Sequence, residues 1–321
     1  NSRIRQITPG TYTHLQNIKA EWKIVNTQQF TNFSFHTIHI TDPFYQIKTI
    51  KHTIRTLLTN AVKKRVLATD RPIACLLSGG LDSSLITSLV CKLAGKQIET
   101  YSIGLPNSED LKYARIVAKH LNTKHNEIIV TEDDFFAAIP KVIKTIESYD
   151  ITTVRASVGN YLVAKYISEH SDAKVIFNGD GSDEVTGGYM YFHHSPDSIE
   201  FDAECRRLLK DIHFFDVLRS DRCISAHGLE ARTPFLDRGW VEVYLSIPKE
   251  VRFHVLHKLP EKYLLRKAFD NGGYLPRCLR SCLDQSSINT EVILVDDCST
   301  DDSMKKVAPF LQDVRVFSTD N

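Results

Sequence analysis

The stretch Ile73-Ala74-Cys75-Leu76-Leu77-Ser78-Gly79-Gly80-Leu81-Asp82-Ser83-Ser84 constrains the fold more than any other part of the chain. A short apolar run ended by glycines suits a fully buried parallel strand. Gly79 and Gly80 let the backbone turn sharply and approach a ligand closely. Asp82, Ser83 and Ser84 then open a helix, where free N–H groups and the helix dipole favour an anion. Strand, glycine turn and hydroxyl-rich helix start together describe a phosphate cradle. It is not the GxxxxGK[ST] loop, because the four-residue spacer and the lysine are absent.

The rest of the chain supplies a frame for that strand. Asp42-Pro43 reads as a helix start, with Asp as N-cap and Pro at the first helical position. Phe44, Ile47, Ile50, Ile54, Leu57, Leu58, Ala61 and Val62 follow at near-helical spacing. After the organising stretch comes an alternation. Helices are expected at about 82–93, 109–121 and 154–168, and strands at 98–103, 127–130 and 174–177. Thr131 and Asp134 form a capping-box pattern ahead of a further helix carrying Phe135, Ile139, Val142, Ile143 and Ile146. Such alternation implies right-handed βαβ units and a parallel sheet covered on both faces, with ligands at the carboxyl ends of its strands. Residues 1–41 are β-like and too few to fold alone, with a Pro9-Gly10 turn and a mix of aromatic and β-branched residues over 31–40. Residues 200–270 read as mostly helical.

Composition narrows the function classes. A net charge of +1 argues against a broad electrostatic footprint for nucleic acid or membrane. The 7 cysteines are odd in number and lack CxxC pairs, which favours reduced thiols in a cytoplasmic protein over a disulfide framework or zinc site. No apolar run approaches membrane-spanning length and no signal peptide is evident. The chain does not begin with Met and ends just after the strand-like Val314-Arg315-Val316-Phe317, so it reads as a fragment at both ends.

A second cluster, Asn178-Gly179-Asp180-Gly181-Ser182-Asp183-Glu184, again follows a buried strand. Alone it also fits an Asx-rich polar loop with an N-cap. As a partner of the first loop it reads as a magnesium–phosphate site, since Mg²⁺ takes a few carboxylates plus phosphate oxygens and water. The mixture of charged and apolar residues over 219–237 fits a buried ion-pair corner as well as it fits substrate contact.

Five blocks in order carry a family resemblance: SGGLDSS at 78–84, YDITTVRAS at 149–157, NGDGSDEVTGGYMYFH at 178–193, RSDRCISAHGLEARTPFLD at 219–237 and EKYLLRKAF at 261–269. They resemble the synthetase domain of glutamine-hydrolysing asparagine synthetases, within the N-type ATP pyrophosphatases. The resemblance implies an α/β fold, a parallel-sheet ATP pyrophosphatase domain (adenine nucleotide α hydrolase-like) with an added helical layer over residues 42–270. A short β remnant of the glutaminase domain would occupy residues 1–41, where Pro9-Gly10-Thr11-Tyr12 resembles the end of that domain.

The implied reaction has two steps. The aspartate β-carboxylate attacks the α-phosphorus of ATP, giving β-aspartyl-AMP and pyrophosphate, and ammonia then displaces AMP to give asparagine. By resemblance the ATP-binding residues are Leu77, Ser78, Gly79, Gly80, Asp82, Ser83, Ser84, Ile103, Asn178 and Gly179, with Leu77, Ile103, Asn178 and Gly179 lining the adenosine pocket. Asp82 and Asp183 would hold Mg²⁺. Asp180 stands where the family places an acidic residue, often glutamate, for acyl-adenylate formation and the ammonia proton; Thr153 and Arg155 match positions near the aspartyl-AMP centre. An exposed helix-start arginine is the plainer reading of Arg155. The expected cofactors are ATP and Mg²⁺. Expected partners are aspartate and ammonia, a glutaminase domain in trans or missing from the chain, and a second copy in a homodimer, with no nucleic acid and no membrane.

The sequence departs from the family twice. The N-terminal cysteine nucleophile is absent, so free ammonia and not glutamine is the expected nitrogen source. The family's lysine-bearing block beyond the helix at 261–269 does not follow. Instead, residues 271–321 are similar to the start of a family-2 glycosyltransferase, with Glu291 to Asp301 forming a strand ended by the Asp296-Asp297 pair. The alternatives are another carboxylate-adenylating synthetase of the β-lactam-forming or peptide-modifying kind, and a glycosyltransferase fusion or chimera in which the synthetase part is a remnant.

Overall fold

An antiparallel hairpin, β1 (Thr11–Ile18) and β2 (Glu21–Gln29), follows the Pro9-Gly10 turn. Its two-residue connection needs positive φ at both positions, and Lys19 and Ala20 adopt 53° and 64°. Its side chains are nearly all exposed. This computed structural model describes residues 7–30, 43–269, 292–296 and 303–318. Asp42 and the aromatic mix at 31–40 lie outside them.

Helix α1 (Pro43–Leu67) presents the expected stripe, with Ile50, Ile54, Leu58, Ala61, Val62 and Val66 buried. The alternation follows: β3 (Ile73–Leu76), α2 (Leu81–Ala94), β4 (Glu99–Gly104), α3 (Glu109–Leu121), β5 (Lys124–Ile129), α4 (Glu132–Ile146), α5 (Ile151–His170) and β6 (Val175–Phe177). The capping box of α4 is formed: Asp134 N donates to Thr131 Oγ1, and the Asp134 carboxylate accepts from Thr131 N. A helical layer then runs through α6 (Ser182–Thr186), α7 (Ser198–Asp211) and α8 (Asp216–Ser225). It continues, after β7 (Glu230–Arg232), through α9 (Arg238–Ser246), α10 (Lys249–Arg252) and α11 (Tyr263–Phe269).

The strands form one parallel sheet in the order β5-β4-β3-β6-β7. One face packs Ala74, Tyr101, Ile128 and Ile176 against Val163, Ala164 and Ile167 of α5 and Ile224 of α8. Beyond the end of β3, Leu77 packs on Ala114 and Ala118 of α3. The fold is therefore α/β with a parallel sheet and an added helical layer. Residues 200–269 are mostly helical, as expected, with one strand added, β7. Its three residues, Glu-Ala-Arg, carry no apolar run because they form an edge with partly exposed side chains. Strand β5 begins three residues before the expected Glu127, since its polar start pairs with β4 from Lys124 onward.

The chain divides into two compact units, residues 1–265 and 266–321. In the second, β8 (Val292–Asp296) pairs in parallel with β9 (Val314–Ser318), and α12 (Ser303–Val307) lies between them in sequence. Val307, Phe310 and Val314 form its buried cluster. Asp297 and the stretch 274–285 lie outside the described residues. Among the described residues, no helix is long and apolar enough to cross a membrane.

Candidate functional site

The sheet order reverses direction between β3 and β6: the chain builds outward through β4 and β5, then returns to place β6 on the other side of β3. Loops leaving the carboxyl ends of two such strands diverge and leave a crevice. Those loops are 77–80 and 178–181, the two clusters singled out in the sequence.

The first loop is fixed from within. Gly79 has φ 82°, and a Cβ there would come within 2.5 Å of the Tyr113 and Ala114 backbone, so only glycine fits against α3. Ser83 Oγ accepts from Ser78 N at 3.2 Å and lies 2.9 Å from Ser78 Oγ, closing the turn onto the start of α2. The second loop lies directly against that start. A Cβ on Gly179 would sit 2.9 Å from Ser83 N and from Asp82 Cβ, and Ser182 Oγ donates to Asp82 Oδ1 at 2.8 Å.

Two adjoining cavities open here. A polar one of about 280 Å³ is lined by Ser78, Asp82, Ser83, Asn178, Gly179, Asp180, Asp183, Tyr189, Asp216 and Arg219, among others. A smaller one of about 130 Å³ has Leu76, Leu77, Tyr101, Ile103 and Val163 in its walls, with Ser102 and Asp110.

One cation holds the two acidic positions together. Lys262 Nζ lies 2.5 Å from Asp82 Oδ2 and 2.8 Å from Asp183 Oδ1, and its side chain is 8% exposed. Burial works against the ammonium, but the two carboxylates outweigh it and hold Lys262 above the ordinary lysine range. Burial raises the Asp183 carboxyl, with Lys262 opposing that shift.

Deeper in the crevice, Asn178 Nδ2 donates to Asp180 Oδ2 and to Ser220 Oγ, both at 2.7 Å. Arg219 Nη2 donates to Asp216 at 2.8 Å and reaches Asp180 Oδ1 at 3.5 Å. Burial pushes Asp180 above the usual carboxylate range; Arg219 opposes this and Asp216 adds to it. Glu184 is fully buried, accepts from Tyr189 Oη at 2.6 Å, and is pushed up to about 8 by burial and by Asp216. The site thus gathers several carboxylates, three of them held above their ordinary range by burial, around the cations Lys262 and Arg219.

With this geometry in view, the comparisons are specific. The asparagine synthase family model matches residues 53–201 and 195–281. The chain belongs to the asparagine synthase family. The glutamine-hydrolysing asparagine synthetase of Gallus gallus is 43% identical over 289 residues, covering 86% of this chain and 51% of that protein. The Homo sapiens enzyme of the same description is 47% identical over 240 residues, 73% of this chain and 42% of its own. The chain spans about half the length of the curated relatives it matches. The glycosyl transferase family 2 model matches residues 267–321. Among solved structures, the NH3-dependent NAD synthetase of Campylobacter jejuni covers 52% of this chain and 77% of its own, at 18% identity and TM-score 0.32.

The asparagine synthase motifs meet the crevice unevenly. Ser78, Asp82, Ser83, Asn178, Gly179, Asp180 and Asp183 line the polar cavity, and Leu77 and Ile103 line the smaller one. Gly79 and Gly80 shape the turn. Ser84 lines neither cavity; its Oγ is buried without a hydrogen-bond partner. Thr153 and Arg155 are not brought to either wall. Thr153 is buried, and its backbone N and Oγ1 both donate to Asp150, the N-cap of α5, at 2.8 and 2.7 Å. Arg155 is exposed, as its plainer reading anticipated.

The sequence reading left Lys262, Asp216 and Tyr189 without a role. Lys262 belongs to the quoted block at 261–269, and the signal for it was electrostatic: two converging carboxylates need a cation. Arg219 forms the ion pair of the first alternative, with Asp216 and Asp180, and also lines the polar cavity.

Proposed function

We propose that the chain binds ATP across the two loops and uses it to activate the β-carboxylate of aspartate for amide formation with ammonia. The observation that carries this is the convergence of Asp82 and Asp183 on one cation at the sheet's switch point. The adenine ring suits the smaller, largely apolar cavity beside Leu77 and Ile103. The triphosphate would then run along loop 77–80 to the start of α2, where unpaired N–H groups and the hydroxyls of Ser78 and Ser83 face an anion. Attack of the carboxylate oxygen on the α-phosphorus breaks the bond to the β-phosphate, and pyrophosphate leaves with the electron pair.

The donor set fits Mg²⁺. Asp82, Asp180, Asp183 and Asp216 line the polar cavity, with Arg219 as its cationic wall. A bare triphosphate would meet repulsion there. Two carboxylates already aimed at one cation supply part of a magnesium shell, and phosphate oxygens and water complete it. When bound, the ion would neutralise charge on the departing pyrophosphate. Lys262 then holds the carboxylates together when no nucleotide is present and turns its charge to the phosphates when one is. In the second half-reaction, ammonia attacks the β-carbonyl carbon and AMP leaves with the bonding pair. Asp180, held basic by burial, takes the proton that nitrogen must shed.

In this reading residues 42–270 are the synthetase part, the reaction takes place in the cytoplasm, and nitrogen arrives as ammonia or from a glutaminase domain supplied in trans. The glycosyl transferase family 2 match over 267–321 favours a second reading for that unit alone, the start of a nucleotide-sugar fold.

The test is exchange of labelled pyrophosphate into ATP. Exchange is expected only with aspartate present, and Asp183→Asn should lower it by roughly 100-fold or more. Exchange unchanged in that variant would remove the metal role of Asp183, and exchange driven by another carboxylate alone would move the substrate assignment.

A further inference from the structure

The two cavities meet at three residues. Leu76, Ser78 and Asn160 line both of them. If base and phosphates occupy the two cavities, the sugar must cross this junction. The side chains there are not equivalent. Leu76 offers only apolar surface. Ser78 Oγ is engaged within its own loop, 2.9 Å from Ser83 Oγ and accepting from Gly80 N at 3.3 Å. Asn160 is different: it is half-buried on α5, and its carboxamide makes no hydrogen bond to any described residue.

With no partner among the described residues, the two N–H donors and the carbonyl acceptor of Asn160 are left open to whatever fills the two cavities. A helix position facing a cavity between a sheet and its crossover would ordinarily carry an apolar residue, as Val163, one turn further along, does on the smaller cavity. An asparagine there offers two N–H donors and one carbonyl acceptor, the complement of a vicinal diol.

We propose that Asn160 reads the ribose hydroxyls of the nucleotide and so sets a preference for ribonucleotides over deoxyribonucleotides. The proposal rests on the ATP reading above. In it, the carboxamide donates to one hydroxyl and accepts from the other, fixing the sugar over Leu76 and thereby aligning the α-phosphorus with the first loop. Asn160 is a specificity and positioning residue; it takes no proton and touches no reacting bond.

The experiment is equilibrium binding of ATP, 2′-deoxyATP and 3′-deoxyATP with magnesium present, on the 321-residue chain and on Asn160→Leu and Asn160→Ser. The unmodified chain should bind ATP about three- to tenfold more tightly than at least one deoxy analogue, the range expected for one lost hydrogen bond. Both variants should lose that preference while still binding the deoxy analogue about as well as the unmodified chain does. Asn160→Ser keeps a small polar group and guards against a packing defect in Asn160→Leu; circular dichroism on both reports folding. Equal affinity of the unmodified chain for all three nucleotides overturns the inference without using any variant. A full preference retained in either folded variant also overturns it. If the unmodified chain binds no ATP, the ATP reading itself fails and this inference falls with it, an outcome distinct from the other two.

Discussion

At the scale of single residues, Lys262 carries the most consequence. Its ammonium satisfies two carboxylates 101 positions apart in the chain, Asp82 at the start of α2 and Asp183 at the start of α6. Removing it leaves both acids facing each other with no counter-charge. Lys262→Ala is expected to cost about 2–3 kcal/mol, below the value for a fully buried pair because the cavity admits water, and to reduce pyrophosphate exchange at least as severely as it reduces stability. A thermal melt and an exchange assay check both, and an unchanged melting temperature would show that the bridge is not formed in solution. A second residue-scale prediction concerns pH. His254 is 2% exposed with both ring nitrogens unpartnered, stacked edge-on to His193 and Phe201. Burial and, secondarily, the neighbouring His193 lower its proton affinity, while Glu261 partly opposes them. The unfolded chain therefore binds a proton at this site more readily than the folded one. The stability contributed by neutral His254 is present above about pH 6.5 and is lost as pH falls below that value. The melting temperature of the unmodified chain should drop between pH 7 and pH 5 by more than that of His254→Phe; parallel curves would contradict it.

At the scale of elements, the glycine turn after β3 was legible because its demands are local. A strand, two glycines and a hydroxyl-rich helix start are adjacent in sequence, and the structure places β3, the turn and α2 accordingly. The α4 capping box was legible for the same reason. Strand β7 was not, since three partly charged residues at a sheet edge carry no period of their own. The role of Lys262 and the hydrogen-bond partner of Asn178 were equally out of reach, because they depend on groups brought in by tertiary folding: Asp82, 180 positions from Lys262, and Ser220, 42 positions from Asn178. Contact between the two loops yields its own prediction. Gly179→Ala places a methyl group 2.9 Å from Ser83 N, so the loops must separate. Overpacking of this kind costs about 1–3 kcal/mol, and because the crevice is formed by that contact, nucleotide affinity should fall by roughly tenfold or more. Isothermal titration with ATP checks it. Affinity unchanged in a folded Gly179→Ala variant would mean the loops are not held in register by this contact.

At the scale of the whole molecule, the sheet order explains why two distant clusters act as one site. In β5-β4-β3-β6-β7 the central strands β3 and β6 are adjacent, and the connections that leave them run in opposite directions along the sheet, β3 to β4 and β6 to β7. Sequence alternation sufficed to expect a parallel sheet but not its order, which is fixed by which helices cover which face. The consequence is a site that assembles a small apolar cavity, a glycine turn and an acidic pair from residues 76 to 262, all within the first compact unit. Under the proposed function, what that unit does is decided by which bond of ATP breaks and which oxygen enters. Aspartate labelled with ¹⁸O in its β-carboxylate, incubated with the chain, ATP, magnesium and ammonia, reports this directly by mass spectrometry of the nucleotide product. Attack of the carboxylate on the α-phosphorus predicts AMP carrying one ¹⁸O, together with unlabelled pyrophosphate. ADP as product, or AMP free of label, would contradict it.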